Sequence, residues 1–274
     1  MPGRPTIYTN KDEQRKVVLH ETLHAFETDS LRYHRVAQAN LAHWRASRNP
    51  VRLGSQVHVL PTDWGEATST LTQTYGECFA VLNMANAYIP GGAYLEGAIA
   101  QEENMLRRTD CHFHIGSDQY DARTGRYIPE MTRLLSAEDG VVYLDTKEPR
   151  VCIRGQEDRS REDLGYRWLR GDEVFPFFEL RAAAQDLRYG SDFDEFEARK
   201  RIAAQLDTLT NHDIRHAVLG AFGCGAFQNP AEKIAEIYRD ELARRPDAFE
   251  VVAFAIFAAG YGPDNYKPFA KAFK

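Results

Sequence analysis

Glu102 and Glu103 stand side by side at the apparent start of a helix, and two adjacent acids can divide acid–base work between them. They close a stretch, residues 83–103, that reads Asn-Met-Ala-Asn-Ala-Tyr-Ile-Pro-Gly-Gly-Ala-Tyr-Leu-Glu-Gly-Ala-Ile-Ala-Gln-Glu-Glu. Asn83 and Asn86 bring amide side chains, and Pro90-Gly91-Gly92 makes a turn that leaves backbone exposed. This combination suits a sugar-phosphate ligand and an acid-assisted step on it. Breaking a glycosidic bond needs a carboxylic acid for the leaving group and a carboxylate to steady charge or activate water. Neighbouring carboxylates repel, so one can hold its proton near neutral pH. A helix N-terminus acts the other way and favours the ionised form of both. The plain alternative is a pair of first-turn acids that only complement a helix dipole.

A second glycine-rich stretch, residues 219–230, reads Leu-Gly-Ala-Phe-Gly-Cys-Gly-Ala-Phe-Gln-Asn-Pro. Gly223 and Gly225 let the backbone turn tightly and present its N–H groups. Asn229 fits a helix N-cap and Pro230 the first helical position. A glycine loop between a strand end and a helix start is a ready anion site. The same residues also suit a tight turn with no ligand.

Three other groupings compete for a chemical role. His20-Glu21-Thr22-Leu23-His24 matches His-Glu-x-x-His, which on a helix can bind zinc with the glutamate as base. The longer zinc-protease pattern fails, because Glu27 and Ser30 stand where glycine and histidine are required. A polar helix face carrying two histidines is the simpler reading. His112 and His114 beside Cys111 lack a matching second pair and read as strand or loop residues. Cys224 lacks the preceding glycine of a nucleophile elbow, since Phe222 stands there. Glu96 is a further loop acid with no assigned role.

The elements that must position these groups follow from periodicity. Apolar residues recur at helical spacing from Lys11 to Trp44, which predicts two helices after a loose tail at 1–10. Gln56 to Leu60 reads as a strand, and Thr62-Asp63 caps a helix through Tyr75. Cys78 to Leu82 is a buried strand feeding the first loop, and Gln101 to Arg108 is helical. Residues 115–140 are turn-rich and expected as a surface excursion. Val141 to Leu144 and Val151 to Ile153 read as strands around a turn, and 156–163 as a solvated loop. Phe175 to Leu180 is a strand, followed by a helix from Phe193 to Leu209 and a strand from His216 to Phe222. A helix from Pro230 to Arg244 and a strand from Glu250 to Phe257 finish the pattern. Alternating strands and helices imply an α/β fold with a mixed or parallel sheet flanked by helices.

With 274 residues and 43% hydrophobic content, the chain is most simply one domain. A net charge of −6 disfavours non-specific gripping of nucleic acid. Four scattered cysteines without a Cys-x-x-Cys pair point to reduced thiols in a cytoplasmic protein. The N-terminus lacks a signal-peptide core, and the longest apolar run, Val251 to Ala259, is too short to cross a bilayer.

The first loop closely resembles the signature of bacterial-type poly(ADP-ribose) glycohydrolases, a branch of the macrodomain superfamily. There a Gly-Gly-Gly run is followed, after a spacer of about six to eight residues, by Gln-Glu-Glu. Here Tyr94 to Ala100 is the spacer, and Ala93 replaces the third glycine. A β-carbon at Ala93 disfavours the conformations open to glycine, so a shifted loop is expected. The second loop resembles the family's diphosphate loop. The resemblance implies a macrodomain-like mixed sheet flanked by helices, over a single domain 1–274 with a helical extension at 1–50. It implies an ADP-ribose glycohydrolase in which Glu103 is the acid/base and Glu102 binds a ribose hydroxyl. Asn86, Gly91, Gly92, Ala93 and Gln101 would contact the ribose and its diphosphate. Gly223, Cys224, Gly225 and Ala226 would bind the diphosphate through backbone, and Phe227 would pack on the distal ribose. No metal or organic cofactor is expected. The partner would be one terminal ADP-ribose unit or an ADP-ribosylated protein, bound by a monomer with no membrane contact. A macrodomain that reads ADP-ribose without cutting it is the competing expectation, and the Glu102-Glu103 pair argues against it.

Overall fold

The computed structural model describes residues 10–48, 55–258 and 262–274. The tail expected at 1–10 lies outside them except for Asn10, which already belongs to helix α1 (Asn10–Ser47). That helix breaks at Asp29 (φ −154°, ψ 59°), whose carboxylate accepts the Arg32 N–H and so caps a second helical segment. The two helices read from periodicity are therefore two arms of one kinked element.

Strand β1 (Gln56–Leu60) leads to α2 (Trp64–Tyr75), capped at one end by Asp63 and closed at the other by Gly76 in the left-handed conformation. Next come β2 (Ala80–Met84), α3 (Gln101–Leu106), the short strands β3 (Tyr120–Asp121) and β4 (Arg126–Tyr127), and α4 (Pro129–Leu135). Strands β5 (Tyr143–Cys152) and β6 (Phe175–Ala182) are followed by α5 (Glu195–Asn211), β7 (His216–Leu219), α6 (Ala231–Ala243), β8 (Val251–Ala255) and α7 (Tyr266–Ala272).

Six strands form one sheet in the order β1-β8-β7-β2-β6-β5, parallel throughout except for β5, which runs antiparallel to β6 at the edge. The period-two alternation of the strands sorts their side chains onto two faces. Ala80, Leu82, Leu219, Val252 and Phe254 pack into the core that includes residues of α5, α6 and α7. Val81, Val218, Val251, Ala253 and Phe177 pack into the opposite core with Leu19, Trp64, Leu71 and Met105. Burial on both faces explains why these strands read as continuous apolar runs.

Several expectations need correction. The two strands read around Lys147-Glu148-Pro149 are one strand, β5, whose register shifts between Asp145 and Arg150. The segment 115–140 is more than a surface excursion: Tyr127, Met131 and Leu135 are buried against Ala183. The loop 156–163 is not uniformly solvated, because Glu157 is buried on the Arg15 guanidinium at 2.7 and 2.9 Å. That partner lies far away in sequence, so local polarity gave the wrong environment. Helix α7 was not foreseen. Its Phe269 is buried against Tyr238 and Phe254.

Candidate active site

Both glycine loops leave the carboxyl ends of neighbouring central strands, β2 and β7, where a parallel sheet opens its ligand crevice. Between them lies a cavity of about 760 Å³, large enough for a dinucleotide-sized ligand. Its walls include Glu102 and Glu103, the 223–227 loop, and Leu82, Leu219 and Ala255 from three strands.

The first loop is built to hold its acids. Gln101 pins the start of α3 to β2: its Oε1 accepts the Met84 N–H at 2.9 Å and its Nε2 donates to the Leu82 carbonyl at 2.9 Å. Asn86 folds its own turn by accepting the Tyr88 and Ile89 N–H groups at Oδ1. Its backbone N–H donates to Glu102 Oε2 at 2.7 Å, and the Ala93 N–H donates to Glu103 Oε1 at 3.1 Å. Each acid is thus gripped by one oxygen. Glu102 Oε1 and Glu103 Oε2, both buried, have no partner among the described residues. Burial pushes the Glu102 carboxyl well above its ordinary pKa, helped by the Glu103 charge and opposed by the Asn86 N–H. Burial also raises Glu103, against the Ala93 N–H. Desolvation therefore outweighs the helix terminus, which is one turn or so of α3 and weak.

Gly91 (φ 72°) and Gly92 (φ 61°) occupy the left-handed region, so the turn requires them. A β-carbon on Gly92 would sit 2.4 Å from Glu103 Oε1. Ala93, by contrast, has φ −105°, which any residue adopts. The loop at this position does not need the family's third glycine.

The second loop keeps its backbone open. Gly223 (φ 72°) lets Asn229 pack underneath, where the Asn229 Nδ2 donates to the Gln185 and Gly223 carbonyls at 2.7 and 3.1 Å. Gly225 and Ala226 are exposed, and a β-carbon on Gly225 would meet nothing within 4 Å. The Cys224 N–H is already donated to the Ala221 carbonyl at 3.0 Å, which removes it from the set of expected anion donors. Burial pushes the Cys224 thiol up, away from nucleophile chemistry. Phe227 is half-buried with the Arg188 guanidinium 4.9 Å from its ring centroid.

Sequence reasoning missed a charged layer behind the acids. Asn83 Nδ2 donates to Glu179 Oε1 at 2.8 Å, and Arg181 forks onto both Glu179 oxygens at 2.8 and 3.0 Å. Burial opposes the Glu179 charge, but Arg181 and Arg150 hold its pKa down to about 2. The alternation Glu179-Leu180-Arg181 inside an apolar strand was the available signal, since buried charges persist only when paired. Arg188, at the cavity wall, carried no local signal at all.

The zinc-protease grouping dissolves in the fold. His20 and His24 are exposed on α1, neither lines the cavity, and Glu21 is ion-paired with Arg154 at 2.6 Å. Among the described residues, no helix is long and apolar enough to cross a membrane.

No curated protein sequence matches the chain. Among solved structures it is similar to the poly(ADP-ribose) glycohydrolase of Thermomonospora curvata, with 22% identity and a TM-score of 0.67 over 95% of this chain and 100% of that one. The same enzyme bound to the inhibitor ADP-HPD gives 22% and 0.66 over the same shares. The glycohydrolase of Deinococcus radiodurans in complex with ADP-ribose gives 22% and 0.58 over 88% of this chain and 90% of that one. At this identity the neighbours establish the fold. The family model for the microbial-type PARG catalytic domain matches residues 5–143, just over half of the 274, including the whole first loop. The chain belongs to the microbial-type poly(ADP-ribose) glycohydrolases.

Proposed function

We propose that this glycoside hydrolase cuts the glycosidic bond at the distal ribose of poly(ADP-ribose), with Glu103 as acid/base and Glu102 as the ribose anchor. The observation that carries the reading is the pair of half-satisfied acids. Each has one oxygen fixed by a loop N–H and the other buried without a partner among the described residues, at the wall of one cavity. An unsatisfied buried polar atom costs about 1–3 kcal/mol, which a bound sugar hydroxyl or leaving-group oxygen relieves.

In this scheme Glu103, whose pKa burial raises, gives its proton to the leaving oxygen as the anomeric C–O bond breaks. The resulting carboxylate takes a proton from the water that attacks the anomeric carbon, which restores the acid. Glu102 receives the ribose hydroxyl beside that carbon, and the Asn86 side-chain amide holds another. Gly91 and Gly92 pass near the ribose and diphosphate, while Gln101 acts by fixing α3 to β2. The diphosphate lies on the backbone of Gly223, Gly225 and Ala226, and Phe227 packs on the distal ribose. The chain works as a monomer on one terminal unit, in a cytoplasm that keeps its four free cysteines reduced.

The deciding assay offers poly(ADP-ribose), arginine-linked and glutamate-linked mono(ADP-ribosyl) protein in separate reactions. Release of ADP-ribose from the polymer is expected. Tight ADP-ribose binding without release from any of the three would leave only a reader module.

A further inference from the structure

On the flank of the sheet, outside the cavity lining, three side chains converge. His34 belongs to the second arm of α1, Asp110 takes the N-cap position of the single helical turn Cys111–His114, and His114 ends that turn. Their ligand-type atoms all lie within 4.8 Å of one another. His34 Nε2 stands 2.8 Å and His114 Nε2 3.4 Å from the same oxygen, Asp110 Oδ2. Asp110 is only 2% exposed, and its Oδ2 faces both imidazoles at ion-pair distance. Two imidazole nitrogens and a carboxylate oxygen that converge this closely are disposed as ligands around a common point.

We propose that His34, Asp110 and His114 bind one divalent transition-metal ion, zinc by preference, as a structural clamp. The donor set of two imidazoles and one carboxylate is among those zinc takes, with bonds of roughly 2.0–2.2 Å. Such bonds place neighbouring ligand atoms roughly 3–3.5 Å apart in a tetrahedral site, close to the two contacts measured. The surroundings match a supported metal site. The other oxygen, Asp110 Oδ1, accepts the Val151 N–H at 2.8 Å, which orients the carboxylate. Glu148 Oε2 lies 3.8 Å from the outward nitrogen of His114, the place of the carboxylate behind a ligating imidazole. His34 and His114 are partly exposed, so solvent can reach the fourth coordination position. The ion would tie α1 to the turn that follows the catalytic helix and to β5. His112 takes no part, because its Nδ1 is 2.8 Å from the Tyr94 hydroxyl.

The test uses tag-free full-length protein stripped with a chelator and titrated with ZnCl₂ by calorimetry and thermal melting. One equivalent of zinc per chain and a raised Tm are expected. A His34→Gln/His114→Gln double variant should fold with a Tm near that of the stripped parent, lose about tenfold or more in zinc affinity, and lose the Tm gain. A His20→Ala/His24→Ala variant should keep both. Turnover of poly(ADP-ribose) by the stripped parent at 25 °C should match that of the loaded protein. The proposal is overturned by an absence of stoichiometric zinc, by binding that survives the His34/His114 change, or by binding that instead follows His20 and His24.

Discussion

The two glycine loops line one cavity and put glycine to opposite uses. In the first, the glycines bring protein against protein: Gly92 lets the chain pass within van der Waals reach of Glu103, and loop N–H groups grip both acids. In the second, Gly225 and Ala226 are exposed, and a β-carbon on Gly225 would meet nothing within 4 Å. One loop grips neighbouring acids and the other leaves its backbone exposed. Glycine content alone therefore says little; what a β-carbon would strike separates the two roles.

The largest break in this comparison should come from Glu103→Gln. It keeps size and hydrogen bonding but removes the titratable proton, so turnover should fall at least a hundredfold while ADP-ribose affinity stays within about a few-fold. Initial rates on poly(ADP-ribose) and a binding titration measure both, and a near-parental rate would move the acid to Glu102 or Glu96.

Gly92→Ala should cost about ten- to a hundredfold in turnover by displacing Glu103. Because the second loop's backbone is left intact, the ADP-ribose thermal shift should be reduced but not abolished. A variant with parental turnover would show that the close approach is dispensable.

Gly225→Val reverses the pattern. Its melting temperature without ligand should match the parent, since a β-carbon there meets nothing. The stabilisation by ADP-ribose should fall away. A parental shift in the folded variant would place the diphosphate elsewhere.

Glu102→Gln tests the energetic cost of the first loop. Burial raises the Glu102 pKa above its ordinary 4.5, so the folded state holds this proton where the unfolded state has lost it. Stability then falls as pH rises above 4.5 toward the folded pKa. The glutamine variant should melt higher than the parent at pH 7–8 and converge with it below about pH 4.5. Equal pH dependence of the two melting curves would contradict the raised pKa.

The smallest effect belongs to His20→Ala and His24→Ala, exposed positions on α1. Each should change Tm by little and turnover not at all.

The elements that carry the loops were legible because their signals are local. Asp63 and Gly76 bound α2 by capping chemistry, and β7 and β8 show as apolar runs with glycine or charged borders. Edges slipped by one to three residues: β2 starts at Ala80 rather than Cys78, and β7 ends at Leu219 rather than Phe222. The failures share one cause. Glu157 reads as solvated because its partner Arg15 is 142 residues away in the sequence.

By itself the sequence determined the residue types, their order and the spacing between turn and acids, though not the second loop's cap: Asn229 donates to the Gln185 and Gly223 carbonyls and Pro230 takes the N-cap position of α6. Those are properties of neighbouring residues and of backbone preference, so Asn86, Gly91-Gly92, Glu102-Glu103 and Gly223–Phe227 could be singled out from the chain alone. Only the tertiary structure decided which N–H groups remain free, that both acids are buried, and that Glu179 and Arg181 stand behind them. Each of these depends on groups brought together by sheet order β7-β2-β6, and desolvation is set by what packs around a side chain rather than by what precedes it.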